Sequence, residues 1–491
     1  SRKTAAVALQ ERSAGPIRHG LRAAIAANTT PGRMPGPSPE TTREPPRADA
    51  TRRCLRPMAM NTATAANPMI SDADIRRRDW KIILLIGVAH ASSHFFQLVL
   101  PSLYGALGLE FGLDFARLGL LVSTFYVVSG IGQASSGFVV DRIGARPVLW
   151  FGLGCFVLSG VLIGSATGYA MLMAAAIVGG IGNSVFHPAD YSIINHRITA
   201  PRLGHAFSTH GLTGNLGWAL TPVFITSITL LANWRVAAYS AAALVALVLL
   251  LTVLGRDLLG GPSPIEARGD AKDASKPAVQ PQEGVLATLA ALLAKPALWG
   301  AFLFFACTSI ALSSVQNYTI PLLGQLYDLS KVTASSALSG YMVASAVGMA
   351  AGGFLVSANP RTERTVMVAL ILAGLTLVVL ALGLVPAVLA APVVALAGFC
   401  SGVAAPSRDM LIRRVTPKGS TGSVYGLVYS GMDVGSALGP LAFGLLLDAG
   451  LRQGPWVGAG VAFTAAAFLA QWIAVQARRA EPAPAAASVR P

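Results

Sequence analysis

Twelve apolar runs, each near the roughly 20 residues that cross a hydrocarbon core as a helix, recur along this chain of 491 residues. They fall at approximately Lys81–Leu107, Ala116–Val140, Pro147–Ser165, Tyr169–Ile193, Gly204–Leu231, Trp234–Leu254, Pro296–Leu322, Val332–Ser357, Thr365–Leu384, Ala387–Asp409, Gly422–Asp448 and Pro455–Gln476. The bilayer interior offers no water to backbone N–H and C=O groups, so a spanning segment must close its own hydrogen bonds, and runs of this length do so as α-helices. Composition agrees. Only 12% of the residues are charged, against about 25% in a soluble domain, and each charge at a spanning helix centre costs about 2.5–3.5 kcal/mol. The expected fold is an all-α integral membrane protein of twelve transmembrane helices.

A second constraint is internal. Pro188–Pro222 and Pro406–Pro440 share one pattern: an apolar helix end, a short basic segment containing Pro, then a Gly-rich apolar helix ending in Pro. The offset is the same at each end, so Asn215 corresponds to Asp433 and one half is a diverged copy of the other. Two repeated halves in so apolar a chain point to a membrane transporter built as two pseudo-symmetric six-helix bundles. The expected organisation is a basic disordered tail (1–79), a first bundle (80–255), a polar cytoplasmic linker (256–295), a second bundle (296–477) and a disordered C-terminal tail (478–491). Met58, Met60 and Met69 offer alternative starts. Glu11, Glu40, Glu44 and Asp49, with no apolar h-region, count against a targeting peptide.

The formal net charge of +15 takes its meaning from placement. Arg142 and Arg146, Arg197 and Arg202, Arg361 and Arg364, and Arg413 and Arg414 follow even-numbered runs; the opposite loops hold mainly Arg117, Arg235, Lys331 and Arg452. The positive-inside rule then places both termini in the cytoplasm, in a multi-pass protein of a bacterial cytoplasmic (inner) membrane. The basicity is a topology signal and implies no nucleic-acid partner. Cys54, Cys155, Cys307 and Cys400 are scattered, without disulfide or metal-ligand spacing, and no clustered nucleophile is visible. Nothing in that pattern calls for a metal, a cofactor or enzymatic chemistry.

After run two comes Gly137-Phe-Val-Val-Asp141-Arg142-Ile-Gly144-Ala-Arg146-Pro147. Gly137 permits a close helix contact and Gly144 a tight turn, while Asp141, Arg142 and Arg146 can pair with one another or with helix ends. This loop resembles the signature of the major facilitator superfamily, departing from it at Val139 and Ala145. The resemblance covers roughly Arg76 to Arg479. It implies that the loop is a gate latch, stabilising the outward-facing state and releasing when the halves rock. The second-half loop, Gly353 to Arg364, keeps charge but loses the Asp-Arg pair. Gly182-Asn183, His187-Pro188, Ala206-Phe207-Ser208, Gly214-Asn215 and Gly217, with the His-rich first run, resemble the fosmidomycin-resistance branch over the first half only. That narrower resemblance implies a proton-driven drug exporter. Ala176 and Ile177 sit where many proton-coupled members carry Arg, and run five lacks the usual Gly-Pro pair; both departures put antiport in doubt.

Polar groups inside spans are expensive, so each marks a candidate site. His90, His94, Gln97 and Pro101 share one helical face by their i, i+4, i+7, i+11 spacing. That face should meet a central cavity, or else find partners on neighbouring helices. Asn183, His187 and Asp190 repeat the pattern in run four; the pair His187–Asp190 either carries the coupling proton or caps the helix end beside Pro188. Run five supplies His210 and Asn215, and run eleven supplies Tyr425, Tyr429 and Asp433. Asn215 and Asp433 should face each other near the midplane, with Asp433 the candidate buried, protonatable carboxylate or, failing that, a packing group. Gln316, Asn317 and Tyr318 lie nearer the outer side, and Arg408–Asp409 reads as a cytoplasmic gate pair. Gly211, Gly214 and Gly217 recur in run five, and Gly431, Gly435, Gly439 and Gly444 in run eleven, as helices that slide require. The expected ligands are a small-molecule substrate, protons and the bilayer, and a monomer suffices. The alternatives are a proton-coupled importer of small organic anions and a non-transporting sensor of the same fold.

Overall fold

The computed structural model describes residues 71–260, 294–358, 361–415 and 421–480. The terminal tails, most of the linker, Asn359 and Lys418 lie outside the described residues. Within them, regular structure is helical, and 12 helical segments are long and apolar enough to cross a membrane. Span one comprises Asp72–Gln97 and Val99–Phe111, span two Phe115–Ile143, span three Ala145–Gly164, and span four Tyr169–Asn183 with Phe186–Arg197. Spans five to eight are Leu203–Leu231, Trp234–Leu254, Pro296–Tyr327 and Lys331–Ala358. Spans nine to twelve are Thr362–Ala381, Ala387–Val415, Thr421–Asp448 and Gly454–Ala480. Span one begins earlier than its apolar run because Ser71 caps it, its side chain accepting from Asp74 N at 3.1 Å.

Two spans are broken, and proline explains both breaks. Pro101 has no N–H for the carbonyl of Gln97, and Pro188 none for that of Ser184. The helices stop at Gln97 and at Asn183 accordingly. The carbonyl of Ser184 is satisfied instead by the Ser136 hydroxyl at 3.0 Å. The two breaks set Gln97 beside Asn183, and the amides join there.

Glycine sets how closely the helices of each half approach. A Cβ at Gly217 of span five would press on the carbonyl of Ala91 in span one, and one at Gly435 of span eleven on the carbonyl of Ala306 in span seven. These are repeat-equivalent positions, and both are small-residue contacts between backbones. The same device joins spans eight and ten, where Gly348 and Gly402 face the carbonyls of Phe399 and Ser345.

The halves meet along spans two and eleven, and five and eight. At the end opposite the loop signature, Asp448 accepts from the N–H groups of Phe115 (2.9 Å) and Ala116 (2.7 Å), capping span two from the other half. Tyr104 donates to Asn317 at 3.1 Å, Leu441 N to Ser123 at 3.2 Å, and the hydroxyls of Thr226 and Ser335 meet at 2.6 Å. Contact continues to mid-depth, where a Cβ at Gly130 would lie 3.1 Å from that of Asp433. At the signature end Asp141 and Arg142 are exposed. The cross-half hydrogen bonds named above close the end opposite the loop signature.

Candidate functional site

The site grows from Asp190, a carboxylate with no exposed surface. His90 Nδ1 and His210 Nε2 both hydrogen-bond its Oδ2, each at 3.1 Å. The rings of His90 and His210 stack with centroids 3.4 Å apart. His94 lies 4.5 Å and His187 5.4 Å from His90 by ring centroid. Spans one, four and five thus bring four imidazoles around one carboxylate. Gly214 makes the space: a Cβ there would lie 3.0 Å from His94 Nδ1 and 3.1 Å from His90 Nε2. Two imidazolium ions at the His90–His210 separation would repel strongly.

A second network adjoins the first. Gln97 Nε2 donates to Asn183 Oδ1 at 2.9 Å, and Asn183 Nδ2 to Ser129 at 2.8 Å. Gln97 Oε1 accepts from Trp218 Nε1 at 2.9 Å and from the Tyr126 hydroxyl at 3.4 Å. Trp218 also packs on His94, centroids 4.2 Å apart, so it links amides to imidazoles. Trp218, Tyr126 and Ser129 are absent from the sequence-based set. Trp218 does carry a signal, since His210, Gly214 and Trp218 follow one another at i, i+4, i+8 on one face.

Several expectations need correction. Of the two readings of the His90–His94–Gln97 stripe, the second describes it: His90 meets Asp190 of span four, and Gln97 meets Asn183 of span four, Trp218 of span five and Tyr126 of span two. Asn215 and Asp433 do not face each other. Asn215 Nδ2 bonds the carbonyl of Gly211 on its own helix at 3.1 Å, and Asp433 lies half-buried against Gly130 of span two, since span eleven packs on span two rather than span five. Among the described residues Gly137 makes no close contact, for a Cβ there would meet nothing within 4 Å. Gly144 does serve its turn, at φ 88°. Arg146 lies over Trp150, 5.3 Å from the ring centroid, and reaches the carbonyl of Arg256 at 3.4 Å.

In the second half the sequence-derived residues are dispersed. Asn317 joins the closed end through Tyr104, and Tyr318 donates to the carbonyl of Pro440. Gln316 is buried, its Nε2 without a hydrogen-bond partner among the described residues. Arg408 bonds its neighbour Asp409 at 2.9 Å and sits 5.0 Å over the Phe305 ring, against which Tyr429 also packs at 4.7 Å. The side chain of Tyr425 lies outside the described set. Two apolar grooves line the outside of this half, one along Ile371, Val378 and Phe468, the other along Phe354, Val368 and Phe399. Neither touches the imidazoles.

The family model of the Major Facilitator Superfamily matches residues 85–407 and, again, 309–490. The chain belongs to that superfamily of membrane transporters. Among curated relatives, the fosmidomycin resistance protein of Escherichia coli is 32% identical over 180 residues, which is 36% of this chain and 44% of that protein. A probable nitrate/nitrite transporter of Mycobacterium tuberculosis, NarK2, is 26% identical over 69% of this chain and 82% of its own length. The membrane sensor protein UhpC of Salmonella typhimurium is 26% identical over 66% of this chain and 76% of itself. The alignment to the first of these spans less than half of that relative. A bacterial homologue of the human lysosomal transporter Spinster shares the fold, with a TM-score of 0.63 at 15% identity, over 82% of this chain and 96% of that one.

Proposed function

We propose that this member of the superfamily is a secondary active transporter of a small molecule, working by alternating access and coupled to protons, and that it is a drug exporter of the fosmidomycin-resistance type. The observation that carries this reading is Asp190 held between His90 and His210 inside spans one, four and five. A buried carboxylate bridged by imidazoles can accept and pass a proton within one hydrogen-bonded unit. Gln97, Asn183 and Trp218 stand beside it as polar substrate contacts. Asp433, at mid-depth on the seam between halves, is a second proton-exchanging group.

In a bacterial cytoplasmic membrane with both termini inside, the closed end faces outward and the form described is inward-facing. Asp141, Arg142, Gly144 and Arg146 then form the released latch, and Arg408–Asp409 lies on the open side. Uptake of small anions is the second reading, favoured by the longer coverage of the nitrate/nitrite relative.

The test is growth of a drug-hypersensitive bacterium expressing the wild type, Asp190→Asn or Asp433→Asn on fosmidomycin. Resistance from the wild type that Asp190→Asn abolishes is the expected result. Absence of resistance from well-expressed wild type, together with proton-dependent uptake of small anions, would replace export with import.

A further inference from the structure

The histidine cluster holds more nitrogen than proton coupling uses. When Asp190 is ionised it only accepts hydrogen bonds, so neutral His90 then carries its proton on Nδ1 and neutral His210 on Nε2, both directed to Asp190 Oδ2. The opposite nitrogens, His90 Nε2 and His210 Nδ1, are therefore bare lone pairs. Among the described residues, His187 Nδ1 is buried without a hydrogen-bond partner, as are His94 Nδ1 and Asp190 Oδ1. One nitrogen from each of His90, His187 and His210 lies within 4.8 Å of the others. A carboxylate that orients imidazoles by their far N–H groups is the usual support behind metal-ligating histidine.

We propose that His90, His187 and His210, supported by Asp190, bind a single transition-metal dication of the Zn2+, Co2+ or Ni2+ class. The donor set is chiefly imidazole, which selects these ions and leaves Ca2+ and Mg2+, with their demand for oxygen cages, aside. At Zn–N distances of about 2.0–2.1 Å, ligand nitrogens around a tetrahedral ion sit roughly 3.4 Å apart. Binding therefore turns the rings inward and opens the His90–His210 stack. Gly214 places no side chain of its own against His90 Nε2, where a Cβ would lie 3.1 Å away. The spacing along the chain concealed the site, since its ligands come from three separate spans. The proposal stands whichever way the protein moves its substrate; where the cluster also carries protons, metal and proton compete for the same nitrogens.

The experiment uses full-length protein purified in detergent through a tag without histidine, stripped of metal and titrated with Co2+ by visible absorption, then with Zn2+ as competitor. The expected result is one ion per chain, with affinity reduced at least about tenfold in Asp190→Asn and binding lost in His187→Gln and His210→Gln. Variants of the remaining histidines outside the cluster, His19→Gln, His196→Gln and His205→Gln, should bind as the wild type does. X-ray absorption on the wild-type complex keeps the test decisive if the cluster variants misfold: a shell with three imidazole nitrogens supports the site, and an all-oxygen shell overturns it. Failure of the wild type to bind Co2+ or Zn2+ at micromolar concentration, or undiminished binding in His187→Gln and His210→Gln, also overturns it. These readouts are independent of transport, so a failed resistance assay leaves them untouched.

Discussion

Asp190 and Arg408 stand at equivalent places in the internal repeat, each two residues after a proline, Pro188 and Pro406. Asp190 is wholly buried and bonded to two imidazoles; Arg408 bonds its neighbour Asp409 and covers a phenyl ring. The divergence extends to the residues around them: His187 corresponds to Ala405 and His210 to Val428, whereas Gly217 corresponds to Gly435. The glycine contact that sets helix approach is kept in both halves, while the buried imidazole–carboxylate cluster belongs to the first. Packing and side-chain chemistry have therefore diverged separately between the halves.

The sharpest break in that comparison is Asp190→Ala, which strands two buried imidazole N–H groups and should destabilise the protein by about 3–5 kcal/mol. Arg408→Ala should cost about 1 kcal/mol or less, because its carboxylate partner is half exposed. Thermal denaturation in detergent measures both, and equal losses would erase the asymmetry. Gly217→Val and Gly435→Val probe what the halves share. Each drives a side chain into a carbonyl of the adjoining helix, and each should cost about 1–3 kcal/mol by overpacking. A large difference between the two would mean that the packing has diverged as well.

Asp448→Ala removes the cap that one half places on span two of the other, worth about 1 kcal/mol. Opening of the closed end should rise roughly fivefold, read as faster maleimide labelling of a Ser335→Cys reporter in a background free of native cysteines. Unchanged labelling would show that Asp448 does not hold this end shut. Gly137→Ala should have the smallest effect, within about 0.5 kcal/mol, since the added methyl meets nothing within 4 Å among the described residues. A larger loss of stability in the form described would mean that Gly137 has a contact there after all.

The spans are legible in the sequence because lipid dictates both their length and their composition, and the repeat discloses their division into halves. The site is legible only in part. Spacing places His90, His94 and Gln97 on one face and Asn183, His187 and Asp190 on another. That these faces meet depends on the breaks four residues before Pro101 and Pro188, and on Gly214 and Gly217 letting span five close on span one. Asp448 is invisible as a clamp because its partners are backbone N–H groups, which every residue but proline carries. The expected meeting of Asn215 with Asp433 failed for a related reason: repeat symmetry gives equivalence of position, and the pairing of span two with span eleven decides what each touches.

The most direct test is fosmidomycin uptake into inside-out membrane vesicles with an imposed acid-inside gradient, comparing wild type, Asp190→Asn and Asp433→Asn at matched expression. If the first half holds the coupling chemistry, wild type accumulates the drug, Asp190→Asn does not, and Asp433→Asn retains measurable gradient-driven uptake. Full uptake by Asp190→Asn with none by Asp433→Asn would contradict that account and move the coupling to the second half.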